Sequence, residues 1–211
     1  MERKGIIFDL DGTMWDASHS NCAAWNRALE KHPEIERKFT EEELKGYMGK
    51  TLDQIALCAF PEMDICDSLP ILKDCTREEI AALNQHGGIL FPKLEETLAE
   101  LVHQYHLYVV SNCQDGYIQA FLDFHHLNQY FEDIEMAGRT GKGKADNIRI
   151  VVGRNNLDKA VYVGDTDGDF ISAKEAGIPF IFAEYGFGHV ENPEYVIESF
   201  EKLTDVVTEI L

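Results

Sequence analysis

The stretch FDLDGT at residues 8–13 places two aspartates at the end of an apolar run. GIIFDL, which begins at residue 5, has the composition of a buried β-strand, and Asp9 and Asp11 fall at its carboxyl end. A buried carboxylate is unfavourable unless it is paired or binds an ion, so packing alone does not explain the two aspartates. The stretch therefore predicts a first strand that ends at a functional site.

Four further apolar runs predict strands, and helical patterns separate most of them. These runs are HLYVVS (106–111), FEDIEMA (131–137), AVYVG (160–164) and IPFIFA (178–183). They do not alternate cleanly between apolar and polar residues, which is typical of parallel strands covered on both faces. Helices are predicted over 92–105, with Pro92 at the first helical position, over 117–127 and over 145–155. The alternation predicts an α/β fold with a doubly wound parallel sheet.

The segment from residue 17 to residue 86 has helical patterns but no strand runs. Its helical stretches are NCAAWNRALEKH, TEEELKGYMG, TLDQIALCAF and TREEIAALNQ. Thr40 with Glu43, and Thr76 with Glu79, each fit a capping box at a helix start. We predict a core domain of residues 1–16 and 87–211, with a small all-helical cap domain of residues 17–86 inserted after the first strand.

The charge balance and the cysteines exclude several classes of function. Thirty-eight acidic residues against nineteen Lys and Arg give a net charge of −19, which argues against nucleic acid and anionic membranes as partners. The five cysteines have neither zinc-ligand spacing nor an even disulfide framework, so free thiols in a reducing compartment are expected. We see no signal peptide or transmembrane segment and expect a cytoplasmic protein.

Polar residues follow three of the predicted strands. Ser111 and Asn112 end the second strand, and GDTDGD (164–169) ends the fourth. Lys144, with Lys142 nearby, precedes the helix that leads into that fourth strand. Ligands bind beyond the carboxyl ends of the strands in such a sheet, so these residues are expected to converge there with the first two aspartates.

Simpler explanations account for only part of this pattern. A calcium loop of the EF-hand type needs glycine at its sixth position and glutamate at its twelfth, and neither aspartate loop provides them. Helix capping explains Asp167 or Asp169 alone. It does not explain Asp9 and Asp11 together with Ser111 and Lys144.

Taken in chain order, these residues resemble the four motifs of the haloacid dehalogenase superfamily of phosphohydrolases. The motif residues are Asp9-x-Asp11-Gly12-Thr13, Ser111 after an apolar strand, Lys144, and Gly164-Asp165-x-x-x-Asp169. LFPKLEETLAEL (90–101) and SAKEAGIP (172–179) also resemble segments of that family. The resemblance covers the whole chain. The four motifs in this order are highly specific, although any one of them alone would be a weak signal.

The resemblance implies a role for each core residue. Asp9 is the nucleophile that forms an aspartyl-phosphate, and Asp11 is the general acid for the leaving alcohol and then the base for water. Alternation along an extended strand is expected to direct Asp9 and Asp11 to the same side. Ser111 donates a hydrogen bond to the phosphoryl group, and Lys144 offsets negative charge, with Lys142 as the alternative lysine.

The resemblance also implies a magnesium site. Asp165 joins Asp9 and the backbone carbonyl of Asp11 in holding Mg²⁺, in an oxygen-rich site of the kind that this ion prefers. Asp169 orients Lys144 or a water on the metal. Mg²⁺ is the one cofactor that the sequence predicts.

The position of the helical insertion resembles the cap of the phosphoglycolate phosphatase and β-phosphoglucomutase type. LKGYMGKTLDQI (44–55) resembles the loop that reaches the active site in those relatives. Lys50 is then a candidate contact to a second anionic group of the substrate, although a solvated lysine fits the pattern equally. Thr13 and Asn112 are further candidate substrate-binding residues.

The leading interpretation is a Mg²⁺-dependent phosphatase that acts on a small phosphorylated metabolite. The alternative is a phosphomutase of the β-phosphoglucomutase type, which transfers the phosphoryl group between two positions of a sugar. A non-catalytic interaction protein on the same fold is the third possibility. A dehalogenase is disfavoured, because those relatives lack the second aspartate that Asp11 supplies. The sequence predicts neither the substrate nor the oligomeric state.

Overall fold

The computed structural model describes residues 2–211, which form eight strands and ten α-helices. The strands are β1 (Lys4–Phe8), β2 (Trp15–Asp16), β3 (Ile89–Leu90), β4 (His106–Ser111), β5 (Phe131–Met136), β6 (Lys159–Gly164), β7 (Phe180–Ala183) and β8 (Tyr195–Ile197). The helices are α1 (Ser18–Leu29), α2 (Glu41–Lys45), α3 (Leu52–Ala59), α4 (Ile65–His86), α5 (Leu94–Leu101), α6 (Tyr117–Phe124), α7 (Ala137–Thr140), α8 (Lys144–Arg154), α9 (Asp167–Ala176) and α10 (Leu203–Ile210). Within the described range, no helix is both long and apolar enough to cross a membrane.

Six of the strands form one parallel sheet in the order β5-β4-β1-β6-β7-β8. The predicted α/β class with a doubly wound parallel sheet is confirmed, and all five predicted strands are present. Two features escaped prediction: the edge strand β8, and the small antiparallel pair of β2 and β3. These strands have only two or three residues each, which is too few for a periodic pattern.

Helices cover both faces of this sheet, which explains the continuous apolar runs. In β1, the Ile6 and Phe8 side chains pack in one hydrophobic cluster with α5, α6 and α10. The Ile7 side chain packs in the opposite cluster with α8 and α9. Successive side chains of a strand point to opposite faces, so a strand buried on both sides needs apolar residues at every position.

Strand β1 lies inside the sheet, between β4 and β6. β4 pairs with one edge of β1 and β6 with the other, and Phe8 lies beside both Val109 and Val163. The carboxyl ends of the three strands are therefore close together, at the point where the strand order reverses. Such a switch point leaves a crevice in which α/β proteins bind ligands.

Helix boundaries differ from the predictions by up to four residues, because the helix predicted to end at residue 105 ends at Leu101. The helix predicted from Pro92 begins at Leu94, so proline at the first helical position is wrong. Lys93 has a left-handed backbone with φ 64°, which a right-handed helix cannot include. The helix predicted over 117–127 ends at Phe124, and the helix predicted over 145–155 spans Lys144–Arg154.

Helices α1 to α4 have a hydrophobic cluster of their own. Trp25, Phe39, Phe60 and Leu72 belong to it, and it is separate from the two clusters of the sheet. The division into a core of residues 1–16 and 87–211 and a cap of residues 17–86 stays a prediction, which this separate packing supports.

The two predicted capping boxes have different outcomes. Thr40 caps α2 in a capping box with Glu43, as predicted. The box at Thr76 and Glu79 is wrong, because α4 begins at Ile65 and runs through both residues. The Thr76 hydroxyl instead donates to the Lys73 carbonyl, and the Glu79 side chain is buried.

Candidate active site

Both aspartates of the first motif lie beyond β1 rather than on it. The strand ends at Phe8, although the Asp9 N–H still donates to the Val163 carbonyl at 2.8 Å. Asp11 lies in the turn that follows and forms an isolated bridge with Trp15. The expectation that extended-strand alternation directs both carboxylates to one side therefore does not apply. The turn, not the strand pleat, sets the direction of Asp11.

The turn after β1 contacts the loop after β6 at Gly12. This residue has φ 79°, and a Cβ atom there would lie 2.2 Å from Asp165 Oδ2. Glycine is therefore required by both the left-handed backbone and the close approach. Next to it, the buried Thr13 hydroxyl lies 3.4 Å from Asp165 Oδ1 and donates to it.

Lys144 joins the aspartates of two different strand ends. Its Nζ donates to Asp9 Oδ1 at 2.8 Å and also to Asp169 Oδ1, and all three side chains are buried. Lys142, the alternative lysine, lies in the exposed loop before α8. The structure therefore brings Lys144, and not Lys142, to the first aspartate.

Asp169 is held by the start of α9. Thr166 caps this helix, and Asp169 Oδ2 accepts hydrogen bonds from the Thr166 N–H at 3.0 Å and from its hydroxyl at 2.7 Å. The other oxygen, Oδ1, accepts from Lys144. Both oxygens of Asp169 are thus occupied, which fixes the lysine ammonium relative to the sheet.

Burial controls the charge state of this cluster. Burial and the nearby Asp169 carboxylate raise the pKa of Asp9 to about 6, against the opposing effect of Lys144. Burial also disfavours the charged form of Lys144, but Asp169 and Asp9 outweigh it and raise the pKa of this lysine. At neutral pH the pair is therefore a carboxylate beside an ammonium ion.

Asp11 is held by two aromatic side chains. Its Oδ1 accepts hydrogen bonds from the Tyr117 hydroxyl at 2.8 Å and from Trp15 Nε1 at 3.0 Å. Asn21, on α1, donates to the Tyr117 hydroxyl at 2.9 Å. Burial raises the pKa of Asp11 to about 7, against these hydrogen bonds. Sequence reasoning missed Trp15, Asn21 and Tyr117, because no local pattern distinguishes them from core residues.

Three carboxylates at the strand ends could hold a metal ion. One oxygen from each of Asp9, Asp165 and Asp169 lies within 4.8 Å of the others. Asp165 Oδ2 also accepts from the Phe187 N–H at 2.8 Å. Burial, followed by the charges of Asp169 and Asp9, raises the pKa of Asp165 well above its usual range. An all-carboxylate donor set with this mutual repulsion fits a hard divalent cation.

A cavity of about 50 Å³ lies between these strand ends and helices α1 to α4. Asp11 and Ser111 line it from the strand ends. Tyr47 and Lys50 line it from the loop between α2 and α3, and Glu79 lines it from α4. On the same measure one water needs about 10–15 Å³, so the space suits a small organic group.

Two of the predicted substrate contacts line this cavity. Lys50 Nζ donates to the Gly46 carbonyl in its own loop. Asn112 Nδ2 donates to the Gly49 carbonyl at 2.8 Å. The segment around Gly49 therefore reaches the strand ends, as the resemblance implied for residues 44–55.

Glu79 lines the same cavity and was not predicted as a site residue. Its Oε1 accepts from Trp25 Nε1 at 3.1 Å, and its Oε2 accepts from Gln114 Nε2. Burial, together with the charge of Asp11, raises the pKa of Glu79 to about 8. The local pattern at Thr76 and Glu79 predicts a helix cap, so it gives no sign that Glu79 lies in the cavity wall.

Comparison with known proteins gives one family and many similar folds. The sequence profile of the haloacid dehalogenase-like hydrolases matches residues 6–183. A phosphoglycolate phosphatase from Vibrio parahaemolyticus is 27% identical over 224 residues, which cover 97% of this chain and 96% of that protein.

Solved structures resemble the chain over almost its whole length. A haloacid dehalogenase-like family hydrolase from Streptococcus pneumoniae superposes with a TM-score of 0.82 at 21% identity, covering 97% of each chain. A protein described as a predicted phosphoglycolate phosphatase from Haemophilus somnus also has a TM-score of 0.82, at 21% identity and with 99% of each chain covered. At such identities these likenesses establish the fold alone.

Proposed function

The chain belongs to the haloacid dehalogenase-like hydrolases, and we propose that it is a phosphatase that hydrolyses a small phosphomonoester through an aspartyl-phosphate on Asp9. The membership confirms the predicted family and the predicted hydrolytic enzyme. The observation that carries the proposal is the buried contact of Lys144 with Asp9 and Asp169 at the ends of β1 and β6. Structural stability does not require such a costly buried cluster.

In the first step, a carboxylate oxygen of Asp9 attacks phosphorus. A bond forms between Asp9 and the phosphoryl group, and the bond from phosphorus to the alcohol oxygen breaks. Asp11 gives its proton to the departing oxygen. The Ser111 hydroxyl and the Lys144 ammonium stabilise the charge on the phosphoryl oxygens.

In the second step, water replaces the enzyme on phosphorus. Asp11, now ionised, removes a proton from the water, which attacks the phosphoryl group and releases inorganic phosphate. Asp9 is regenerated as a carboxylate, and Asp11 is protonated again. The hydrogen bonds from Tyr117 and Trp15 to Asp11 Oδ1 leave Oδ2 for both proton transfers.

The proposed cofactor is Mg²⁺. Asp9, Asp165 and the backbone carbonyl of Asp11 would hold it, whereas one oxygen of Asp169 is paired with the Lys144 ammonium and the other accepts two hydrogen bonds from Thr166. The ion supplies charge neutralisation for the phosphoryl group. Burial of the acidic cluster supports this assignment, because its carboxylates otherwise repel one another.

Helices α1 to α4 are proposed to act as a cap that excludes bulk water during the reaction. Thr13 and Asn112 are proposed to help to position the phosphoryl group, and Lys50 is the candidate contact for a second anionic group. The names of the relatives make phosphoglycolate the first candidate among small phosphomonoesters. A cytoplasmic location belongs to the same proposal.

The test is phosphate release from a panel of small phosphomonoesters, with Mg²⁺ and with a chelator in its place. The proposal expects steady release that needs Mg²⁺ and no bisphosphate activator. β-Glucose 1-phosphate is followed in parallel by phosphorus NMR. Rapid conversion to glucose 6-phosphate with little free phosphate would favour the phosphomutase, and no reaction with any substrate would favour the interaction protein.

A further inference from the structure

Three buried side chains form a chain of hydrogen bonds that begins on α1 and ends at Asp11. Asn21 Nδ2 donates to the Tyr117 hydroxyl at 2.9 Å, and this hydroxyl donates to Asp11 Oδ1 at 2.8 Å. Asn21 is 1% exposed and Tyr117 is 2% exposed. Asn21 lies in the predicted cap, whereas Tyr117 is the first residue of α6 in the predicted core. The proposed mechanism uses Tyr117 to hold Asp11 but gives Asn21 no role.

The direction of each hydrogen bond follows from what the groups can donate. Trp15 Nε1 can only donate, so Asp11 Oδ1 is the acceptor of that bond. The Tyr117 hydroxyl has one proton, and when this proton points to Asp11 the hydroxyl can only accept from Asn21. Asn21 must then present its NH2 group. Because Asp11 Oδ1 accepts two hydrogen bonds, the proton for the leaving alcohol is left to Oδ2.

The opposite orientation of the Asn21 amide would compete with Asp11. Asn21 Oδ1 would then face the Tyr117 hydroxyl and could accept its proton. Asp11 Oδ1 would lose one of its two donors. In the observed orientation, Asn21 Oδ1 is buried and has no hydrogen-bond partner among residues 2–211. A buried acceptor without a donor is unfavourable, so this arrangement satisfies Tyr117 and Asp11 at the expense of Asn21.

We infer that Asn21 is a positioning residue for general acid catalysis, which directs the Tyr117 proton to Asp11 Oδ1 and so keeps the transferable proton of Asp11 on Oδ2. The inference rests on the proposed phosphatase function and deepens it, because it adds a residue of α1 to the machinery of the acid. Asn21 acts without touching the substrate. Successive hydrogen bonds polarise one another, so the donor at Asn21 also strengthens the bond from Tyr117 to Asp11.

The dependence on the leaving group tests this role. The two substrates are the alkyl phosphate that the panel above shows to be hydrolysed fastest, and p-nitrophenyl phosphate. Asn21→Ala is expected to lower kcat/KM for the alkyl phosphate by about three- to tenfold, because one hydrogen bond of the chain is lost. It should lower kcat/KM for p-nitrophenyl phosphate by less than about twofold, because that leaving group needs no proton. General damage to the site would lower both values equally.

The variant Tyr117→Phe shows whether Asn21 acts through Tyr117. It has no hydroxyl for Asn21 to orient, so Asn21→Ala added to it should not change the ratio of the two kcat/KM values further. Asn26→Ala is the matched control on the same helix, because the Asn26 amide bonds only the backbone of Phe39 and the thiol of Cys22 among the described residues. Its ratio should equal that of the unmodified enzyme.

A second variant guards against loss of the fold. Asn21→Leu keeps a branched side chain in the same space but has no donor, and the same selective loss is expected of it. Circular dichroism verifies that each variant is folded. The Leu variant replaces the Ala variant in the comparison with Tyr117→Phe if the smaller side chain leaves the protein unfolded.

The outcomes separate this inference from the function beneath it. No phosphate release by the unmodified enzyme from any compound overturns the proposed phosphatase. Release that falls equally for both substrates in the Asn21 variants, or does not fall, overturns only the role of Asn21. A further selective loss on the Tyr117→Phe background overturns its action through Tyr117. A selective loss that disappears on that background supports the inference.

Discussion

The Lys144 ammonium lies 2.8 Å from Asp9 Oδ1, and both side chains are buried. The same ammonium bonds Asp169, which the start of α9 holds in place. One lysine thus joins the ends of β1 and β6 and keeps a carboxylate ionised where water is excluded. Much of the proposed chemistry depends on this contact.

Removal of the lysine should impair catalysis and folding together. Lys144→Ala is expected to lower kcat by at least about 10²-fold, because one positioned donor to the reacting group is lost. It should also reduce the free energy of unfolding by about 3–5 kcal/mol, since two buried carboxylates lose their partner. Phosphate release and urea unfolding measure these effects. Lys142→Ala, in the exposed loop, is the control, and equal losses in both variants would refute the assignment.

Proton donation by Asp11 should increase kcat/KM most for substrates with poor leaving groups. Asp11→Asn is expected to lower kcat/KM for ethyl phosphate by about 10²–10⁴-fold, and by much less for p-nitrophenyl phosphate, whose leaving group needs no proton. Tyr117→Phe removes the 2.8 Å hydrogen bond to Asp11. It should lower kcat/KM by a smaller factor, and again more for ethyl phosphate than for p-nitrophenyl phosphate. Tyr130→Phe, which loses a surface contact with Glu95, is the control. Equal losses on both substrates would count against general acid catalysis.

The metal should stabilise the folded protein as well as activate it. Mg²⁺ is expected to raise Tm, because it binds the folded acidic cluster and not the unfolded chain. Asp165→Ala should weaken the apparent affinity for Mg²⁺, and Ca²⁺ should inhibit the unmodified enzyme through its looser coordination. Asp167→Ala, at the exposed start of α9, is the control. An unchanged Mg²⁺ titration in Asp165→Ala would exclude Asp165 as a ligand.

The strands of the sheet and the polar residues at their ends could be predicted from the sequence, because each produces a local sequence pattern. The strands of the sheet were visible because both faces are buried, and the strand-end residues were visible because chemistry rather than packing explains them. The lysine could not be decided from spacing alone, since Lys142 and Lys144 lie two residues apart. Only the start of α8 distinguishes a buried lysine from an exposed one.

The remainder depends on contacts between distant residues. Thr76 and Glu79 fit the local pattern of a helix cap, but α4 begins eleven residues before Thr76, at Ile65. Glu79 is therefore inside the helix, where its side chain is buried beside Gln114. The partners of Asp11 are Trp15 of β2 and Tyr117 of α6, and Tyr117 is held in turn by Asn21 of α1. No fixed sequence spacing connects these residues. The left-handed backbone of Lys93 could not be predicted either, because lysine, unlike glycine, does not indicate this conformation.

Glu79 should make stability depend on pH. The pKa of Glu79 is about 8 in the folded protein against an ordinary 4.5, so between these values the folded state keeps a proton that the unfolded state has released. Stability from this group therefore falls as pH rises through the window and is lost above about pH 8. Glu79→Gln lacks this titration, so its Tm relative to the unmodified protein should rise between about pH 5 and pH 9.

A surface carboxylate provides the control for this titration. Glu78 on the same helix pairs with Lys31, and that pairing lowers its pKa. Glu78→Gln should therefore show no gain in relative Tm as pH rises over the same range. A constant Tm difference for Glu79→Gln across that range would mean that Glu79 is ionised throughout.

In the proposed mechanism, Asp9 carries the phosphoryl group during turnover. The direct test is acid quenching of the enzyme during turnover of a small phosphomonoester, followed by peptide mapping by mass spectrometry. We predict one phosphoryl group on Asp9, more of it in Asp11→Asn, where the base for its hydrolysis is lost, and none in Asp9→Asn. Phosphate release in Asp9→Asn within about tenfold of the unmodified enzyme, or a phosphoryl group on another residue, would exclude Asp9 as the nucleophile.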